Sequence, residues 1–262
     1  MKNIEQKTAL GVGLIGIGRK WGYRETPVPS EDQAVAYLSH AYENGIRFFD
    51  TAPAYGSSEE RLGKFLKTLS PEQRRGVTVA TKFGEHWDEE RGEPFADHSL
   101  TALRKSFDQS VRRLGRIDLL QVHKTTPDVL RSSELAESIA YAQAQGITQF
   151  GASVNDRESA QMVVENDLFS SIQFPFNESN QTFAETIAAA HEKGKLVIIN
   201  RPFNMGGVLY EKEKELSPEG QRTRAYKFIL DRIPTNGIIL TGTKSPHHLD
   251  ENIEAFVEAN PK

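Results

Sequence analysis

Short apolar runs alternate with longer amphipathic segments along this chain of 262 residues. The apolar runs are rich in branched side chains and are bounded by turn-forming residues, a pattern typical of buried β-strands. Between them, apolar residues recur at the spacing of an α-helix. We interpret eight of the runs as strands, at residues 11–18, 46–50, 77–81, 118–123, 148–152, 170–174, 196–200 and 237–240.

Each predicted strand is followed by a predicted helix, at residues 31–44, 58–69, 99–114, 130–145, 157–166, 183–193, 220–232 and 246–259. Continuously apolar strands separated by helices are typical of a parallel sheet that is covered on both faces. Eight such units in a chain of this length predict a closed (β/α)8 barrel. Because no proline- or serine-rich linker divides the sequence, we expect residues 1–262 to form a single domain.

Capping and turn residues agree with these boundaries. Ser30 and Asp156 stand where helix N-caps are expected. Glycines stand where left-handed residues end helices, at Gly45, Gly76, Gly115, Gly146 and Gly194. The longest irregular segments are predicted at residues 19–30, 84–98 and 205–219. All three follow strands, so we expect them at the same end of the barrel.

The composition changes this picture mainly by exclusion. A formal net charge of −4 gives no electrostatic support for binding to nucleic acid or to an anionic membrane. The absence of cysteine excludes disulfides, thiolate nucleophiles and cysteine-ligated zinc. The apolar run after Lys7 resembles part of a signal peptide, but no small-residue cleavage site follows it. We therefore expect a cytoplasmic protein.

The segment GVGLIG, residues 11–16, matches the dinucleotide-binding pattern G-x-G-x-x-G. That pattern binds a pyrophosphate only where a strand ends at the glycines and a helix begins there. The residues that follow, RKWGYRETPVP, contain two prolines and no helical periodicity. We therefore interpret the glycines as part of the first barrel strand.

Ionisable side chains stand at the ends of three consecutive predicted strands. Asp50 ends the second strand, with Tyr55 in the turn beyond it, Lys82 ends the third and His123 ends the fourth. The C-terminal ends of barrel strands lie on one rim, so these four side chains are expected to converge. Each has an ordinary explanation as a cap, a surface charge, a packing aromatic or a core histidine. Four such placements in succession favour a functional site.

These four side chains have complementary chemistry. A phenol, with an ordinary pKa of about 10, is a poor proton donor at neutral pH. A neighbouring lysine cation favours the phenolate and lowers that pKa, and a paired aspartate keeps a buried lysine charged. A histidine can donate a hydrogen bond to a carbonyl. The set predicts a tyrosine that acts as a general acid on a carbonyl oxygen and as a general base on an alcohol.

The chain resembles the aldo-keto reductases in FFDTAPAYG, EERLGKFL, ATKFG, RRLGRIDLLQVH and GTKSPHHLDENIEAF, which lie along most of its length. The resemblance implies a (β/α)8 barrel that uses NADP(H), less often NAD(H), to interconvert carbonyls and alcohols. It also implies that Tyr55, Asp50, Lys82 and His123 are the catalytic tetrad.

The resemblance further implies a set of cofactor contacts. Ser153 and Gln173 match positions that bind the nicotinamide carboxamide. Asn200 stands where the family often has a tyrosine that stacks on the nicotinamide ring. Phe203 or Trp21 is then the candidate for the apolar contact with that ring. The other implied cofactor contacts are Arg201 and Pro202 after the seventh strand, Thr243, Lys244 and Ser245 near a 2′-phosphate, His248 in place of a frequent arginine, and Asn252 near the adenine.

We expect Trp21, Tyr23 and Trp87 to line the pocket for a small carbonyl or alcohol substrate, although such aromatics equally well pack loops onto a barrel. The chain ends soon after its last predicted helix, which suggests an open pocket. We expect no metal site, because His247 and His248 lack a third ligand. Two alternatives remain open, namely a cofactor-binding sensor with little turnover and a non-redox barrel lyase or isomerase. The oligomeric state is also open.

Overall fold

The computed structural model describes residues 7–22, 27–210 and 216–261. Within them, eight parallel strands close into a barrel in the order β1-β2-β3-β6-β7-β8-β9-β10, with β10 paired to β1, and β4 and β5 form a separate hairpin. This confirms the predicted (β/α)8 fold. The strands are β1 Ala9–Gly13, β2 Phe48–Asp50, β3 Thr78–Phe83, β4 Glu85–Asp88, β5 Glu93–Ala96, β6 Leu119–Val122, β7 Phe150–Ser153, β8 Phe169–Pro175, β9 Leu196–Asn200 and β10 Gly237–Thr241.

Helices connect successive barrel strands. They are α1 Ile15–Gly18, α2 Glu31–Glu43, α3 Ser58–Thr68, α4 Pro71–Arg75, α5 Leu100–Leu114, α6 Pro127–Arg131, α7 Ser133–Ala144, α8 Arg157–Glu165, α9 Ala184–Glu192, α10 Gly207–Tyr210, α11 Pro218–Leu230 and α12 Pro246–Ala259. Ser30 caps α2 and Asp156 caps α8, as expected. No helix among the described residues is long and apolar enough to span a membrane.

The core has two parts because successive strand residues face opposite sides of the barrel wall. Phe48, Ala80 and Leu119 belong to a small cluster, together with Ile198 and Leu240. Their immediate neighbours Phe49 and Leu120 belong to the main cluster, which also contains the apolar faces of the helices. The barrel is thus filled with side chains, and its chemistry is restricted to the strand ends.

The first predicted strand is wrong in its second half. The strand ends at Gly13, and residues 15–18 form the single helical turn α1, because Leu14 has a non-extended backbone and its amide donates to Asp50 O at 2.9 Å. Gly11 and Gly13 therefore lie in the strand, as interpreted, whereas Gly16 lies in the turn. At four residues, α1 is too short to serve as the helix that a dinucleotide pattern requires.

Three further expectations are corrected. The segment 84–98 is not irregular, because β4 and β5 pair as an antiparallel hairpin within it. The helix predicted at 130–145 is two helices, since Ser132 is extended and its hydroxyl caps α7. Gly76 ends α4 with a right-handed backbone at φ −80°, whereas the other four predicted glycines have positive φ.

Candidate active site

A buried ion pair joins the ends of β2 and β3. Lys82 Nζ donates to Asp50 Oδ2 at 2.6 Å and to the Thr51 carbonyl oxygen at 3.0 Å. Both side chains are at most 2% exposed. The side chain of Gln121 in β6 donates to the other oxygen of Asp50 at 3.0 Å. The carboxylate and the ammonium thus compensate each other, which a charge removed from water requires.

Two glycines position the turn that carries Tyr55. Residues Pro53–Tyr55 form a 3-10 turn, and Gly56 follows with φ 59° and ψ −124°, a conformation that only glycine readily adopts. A Cβ on Gly56 would lie 2.5 Å from the Gly18 carbonyl oxygen, and a Cβ on Gly18 would lie 1.9 Å from the Tyr55 carbonyl oxygen. The turn that begins at Gly13 therefore packs its backbone directly against the tyrosine turn.

Tyr55 lies over the ion pair and beside His123. Lys82 Nζ is 5.1 Å from the centroid of the Tyr55 ring, and the ring of His123 lies edge-on at 6.1 Å. Burial raises the pKa of the Tyr55 phenol, and the Lys82 cation opposes that rise without reversing it. The lysine acts in the expected direction, but the expected net fall in pKa is not seen. The phenol is therefore protonated at neutral pH.

The charges of Lys82 and His123 are set in opposite directions. Burial by itself lowers the pKa of Lys82, but Asp50 and Tyr55 outweigh burial and leave that pKa above its ordinary value. Burial lowers the pKa of His123 well below its ordinary value, and the cations of Lys82, Lys124 and Arg19 add to the effect. The site therefore contains a charged lysine and a neutral histidine at neutral pH.

Glu85 is a site residue that the sequence analysis missed. Its Oε2 lies 3.0 Å from Nδ1 of His123, and its Oε1 lies 3.4 Å from Nζ of Lys124. The histidine contact has the distance but not the angle of a hydrogen bond, because Nδ1 has no hydrogen-bond partner among the described residues. Glu85 lies two residues after Phe83 in a segment that the sequence predicts to be irregular, so no sequence pattern indicates that it belongs to the site.

Gln121 is a second missed residue, and here a signal existed. It precedes His123 by two positions, so both side chains point to the same side of the barrel wall. It also pairs in register with Lys82 across β3 and β6. A polar residue at that position of an apolar strand could have been assigned to the lysine–aspartate pair.

The residues expected at the nicotinamide lie on three adjacent strands. Ser153 ends β7 in register with Gln173 of β8, and Asn200 ends β9 opposite Pro175. Gln173 is 1% exposed. Its Oε1 atom and the Oδ1 atom of Asn200 are buried and accept no hydrogen bond from the described residues. These oxygens are unused acceptors.

The residues expected near the adenosine lie around the start of α12. Ser245 caps this helix, accepting from the His248 amide at 3.4 Å, and Thr243 Oγ1 accepts from the Ser245 amide at 3.2 Å. Lys244 Nζ donates to the Pro27 carbonyl oxygen at 2.8 Å. Asn252 is buried and donates to Thr241 Oγ1 at 2.8 Å. His248 is exposed.

Two of the aromatic residues expected to line the substrate pocket, Trp21 and Trp87, lie close to arginine side chains. Trp21 and Trp87 both lie against the guanidinium of Arg19, and Trp21 also lies 5.8 Å from that of Arg201. Tyr23 lies outside the described residues.

The segment after β9 carries the other expected cofactor contacts. Arg201 is exposed and has a left-handed backbone at φ 54°, and Pro202 is buried. Phe203 is only 9% exposed and packs edge-on against Tyr226. Since the ring of Phe203 is engaged in the core, Trp21 is the better placed of the two candidates for an exposed apolar face.

The model of the aldo/keto reductase family matches residues 9–226 of the chain. The chain belongs to this family. An L-galactose dehydrogenase of Arabidopsis thaliana is 38% identical over 149 residues, which are 55% of this chain and 43% of that protein. An aldo-keto reductase [NADP(+)] of Schizosaccharomyces pombe is 34% identical over 121 residues, 44% of this chain and 33% of that protein. The match therefore spans less than half the length of both relatives.

A solved structure gives the same architecture. An aldo-keto reductase from Pseudomonas aeruginosa superposes with a TM-score of 0.78 at 26% identity, over 95% of this chain and 89% of that one. Aldo-keto reductases use nicotinamide cofactors. The buried free oxygens of Gln173 and Asn200 fit such a group, because a carboxamide nitrogen supplies N–H donors. Among the described residues no cluster of acidic and histidine side chains could hold a metal ion.

Proposed function

We propose that the protein is an oxidoreductase that reduces an aldehyde or ketone to an alcohol, reversibly, with NADPH as the reductant. One observation carries the proposal, namely the buried Lys82–Asp50 pair directly beneath the phenol of Tyr55. A non-redox lyase could use the same acid and base, but it would not need the unused acceptors Gln173 and Asn200.

Each member of the tetrad has a defined role in this proposal. The cofactor supplies a hydride to the carbonyl carbon, and the protein supplies position and a proton. Tyr55 donates the proton to the carbonyl oxygen, and Lys82 stabilises the phenolate that is left behind. Asp50 keeps Lys82 charged. His123, neutral because of burial, directs a ring N–H at the carbonyl oxygen and orients it without adding a competing charge.

The nicotinamide is assigned to the ends of β7, β8 and β9. Gln173 Oε1 and Asn200 Oδ1 would accept hydrogen bonds from the carboxamide, and the Ser153 hydroxyl would complete the set. Hydrogen bonds of this kind would orient the nicotinamide relative to the substrate. Trp21 supplies the apolar contact on the exposed side, in place of the missing tyrosine.

The adenosine 2′-phosphate is assigned to the start of α12. A helix N-terminus attracts anions through its free amides and its dipole. Lys244, Thr243 and Ser245 surround the start of α12 and would bind a 2′-phosphate, which favours NADPH over NADH. His248 adds a weaker contact there than an arginine would. The remaining assigned cofactor contacts are Asn252 at the adenine and Arg201 and Pro202 in the segment after β9.

The substrate is assigned to the space beside Trp21 and Trp87, and Tyr23 stays a prediction for its wall. We also propose that residues 1–262 fold as one domain and act in the cytoplasm on a small molecule, without nucleic acid or membrane.

A two-stage measurement tests this function. Titration with NADPH, followed by its fluorescence, should show saturable binding with a weaker response to NADH. A panel of aldehydes, ketones and quinones should then give carbonyl-dependent NADPH oxidation. Absence of cofactor binding would refute the reductase assignment, whereas binding without turnover of any carbonyl would favour a sensor.

A further inference from the structure

Arg19 lies between the two tryptophans of the chain. Its Cζ atom is 5.5 Å from the centroid of Trp21 and 5.4 Å from that of Trp87, and the chain contains no other tryptophan. A guanidinium stacks well on aromatic faces, which hold its plane in a fixed orientation. The two rings come from separate segments, one after α1 and one in β4. Arg19 is thereby held between two loops at the C-terminal end of the barrel.

The position of Arg19 is tied to that of the tyrosine turn. A Cβ on Gly56 would lie 3.6 Å from the Arg19 Cβ, so the arginine leaves the backbone beside the residue that follows Tyr55. Its charge also acts on the chemistry below, because it contributes to the lowered pKa of His123. The guanidinium is therefore at the entrance to the tetrad.

Burial lowers the pKa of the Arg19 guanidinium, and the carboxylate of Glu85 opposes this fall without reversing it. Among the residues that the structure describes, none of the ion pairs within 4.0 Å includes this side chain, and its Nε is buried without a hydrogen-bond partner. The nearby carboxylate of Glu85 is already in contact with Lys124 and His123. The desolvation of this partly buried guanidinium is therefore only partly compensated, which leaves it able to pair with a further anion.

Among the residues that the structure describes, the lysines near the tetrad each have a carboxylate partner. Asp50 compensates Lys82, and Glu85 compensates Lys124. Arg19 has only the shared Glu85 carboxylate, and the guanidinium of Arg201 lies 5.8 Å from the Trp21 ring, also without an ion pair in the described part of the chain. The entrance therefore has an excess of positive charge in a site with low-dielectric walls, which attracts an anion.

We propose that Arg19 binds a carboxylate of the substrate, so that the preferred substrates are aldehydes or ketones that carry a carboxylate group. This rests on the proposed carbonyl reduction and names its substrate class. The planar fork of a guanidinium donates two parallel N–H hydrogen bonds to the two oxygens of a carboxylate. Trp21 and Trp87 lie against the guanidinium and orient the fork. Arg19 is thus a specificity-determining residue.

Kinetics with a matched pair of substrates tests the proposal. 4-Carboxybenzaldehyde and its neutral methyl ester differ in the charge of one group. The wild-type protein should have the higher kcat/KM with the acid, and Arg19→Gln should reduce the acid-to-ester ratio by about tenfold or more, the effect of losing a charged hydrogen bond. Arg19→Lys should restore part of the ratio, since it keeps the charge but not the fork.

Lys20→Gln is the matched control. It removes the same charge one residue away, at an exposed side chain. If the acid preference comes from Arg19, this variant retains the wild-type ratio. An equal fall of the ratio in both variants would attribute the preference to overall charge and overturn the proposal.

Tryptophan fluorescence gives a readout that does not need turnover. Because both tryptophans flank Arg19, benzoate added to the protein saturated with NADP+ should change the emission, and neutral benzamide should not. Arg19→Gln should abolish the benzoate response. Absence of that response in the wild-type protein would overturn the carboxylate site even if the ester is reduced. An Arg19-dependent response without reduction of either aldehyde would instead refute the proposed function and support the anion site.

Discussion

Lys82 and Asp50 form a 2.6 Å ion pair from which water is almost completely excluded. The pair lies at the end of two adjacent strands and directly below the Tyr55 ring. Its stability and its chemistry are linked, because the same carboxylate that permits the lysine to be buried also keeps it charged. Changes on either side of the pair should therefore affect both folding and activity.

Asp50→Asn should destabilise the protein by about 3–5 kcal/mol, because it leaves the Lys82 ammonium buried without a compensating charge. The free energy of unfolding, measured in urea, checks this. The matched control is Asp231→Asn, which breaks an exposed Lys227–Asp231 pair at the C-terminal end of α11 and should change the free energy by at most about 0.5 kcal/mol. Equal effects of the two variants would contradict the strong coupling of the buried pair.

Gly63→Ala should be destabilising although alanine is the better helix former. A Cβ at position 63 would lie 1.8 Å from the Arg113 carbonyl oxygen, where α3 meets α5. We expect a loss of about 1–3 kcal/mol in the free energy of unfolding, the usual cost of overpacking. Gly220→Ala in α11, whose added Cβ would meet only ordinary contacts, should instead stabilise by up to about 1 kcal/mol. Stabilisation by Gly63→Ala would show that the two helices are farther apart.

Glu85→Gln should move the alkaline limb of the pH profile for carbonyl reduction to lower pH. Reduction needs a protonated Tyr55, so its rate falls as the pH rises through the pKa of that phenol. Burial raises this pKa, and the Glu85 carboxylate adds to the rise. Removing the carboxylate therefore lowers the pKa and brings the loss of rate to lower pH. Glu90→Gln, exposed between β4 and β5, should leave the profile in place; a shift in the opposite direction for Glu85→Gln would refute the account.

Lys244→Ala should weaken NADPH binding about tenfold more than NADH binding, the scale of a lost charged hydrogen bond. Fluorescence titrations with the two cofactors check this. His248→Arg is the complementary variant and should increase the preference for NADPH, because a guanidinium binds phosphate better than a neutral imidazole. Equal losses of the two cofactors in Lys244→Ala would show that this lysine does not bind the 2′-phosphate.

The barrel and the convergence of the tetrad could be predicted because both depend on simple periodicity. Asp50 ends β2, Lys82 is the last residue but one of β3 and His123 directly follows β6, and parallel strands bring such ends to one rim. The predicted strand lengths also agree with the structure where polar residues flank the apolar run, as for the strand at residues 196–200.

The remainder depends on contacts between distant residues. The first strand is predicted too long because Leu14 and Ile17 are buried at a helical turn, which hydropathy does not distinguish from a strand. The role of Gly18 is a close approach to Gly56, and no local pattern encodes it. Glu85 and Arg19 were missed because their importance lies in what they contact, namely Lys124 and the two tryptophans.

The turnover of Tyr55→Phe tests the central claim most directly. The substitution removes one hydroxyl and leaves the ring, the ion pair and the assigned cofactor contacts in place. NADPH affinity, measured by fluorescence, should be nearly unchanged, while the rate of carbonyl reduction should fall at least ~100-fold, as expected for a lost general acid. Turnover equal to that of the wild-type protein would contradict the assignment of Tyr55 as the proton donor.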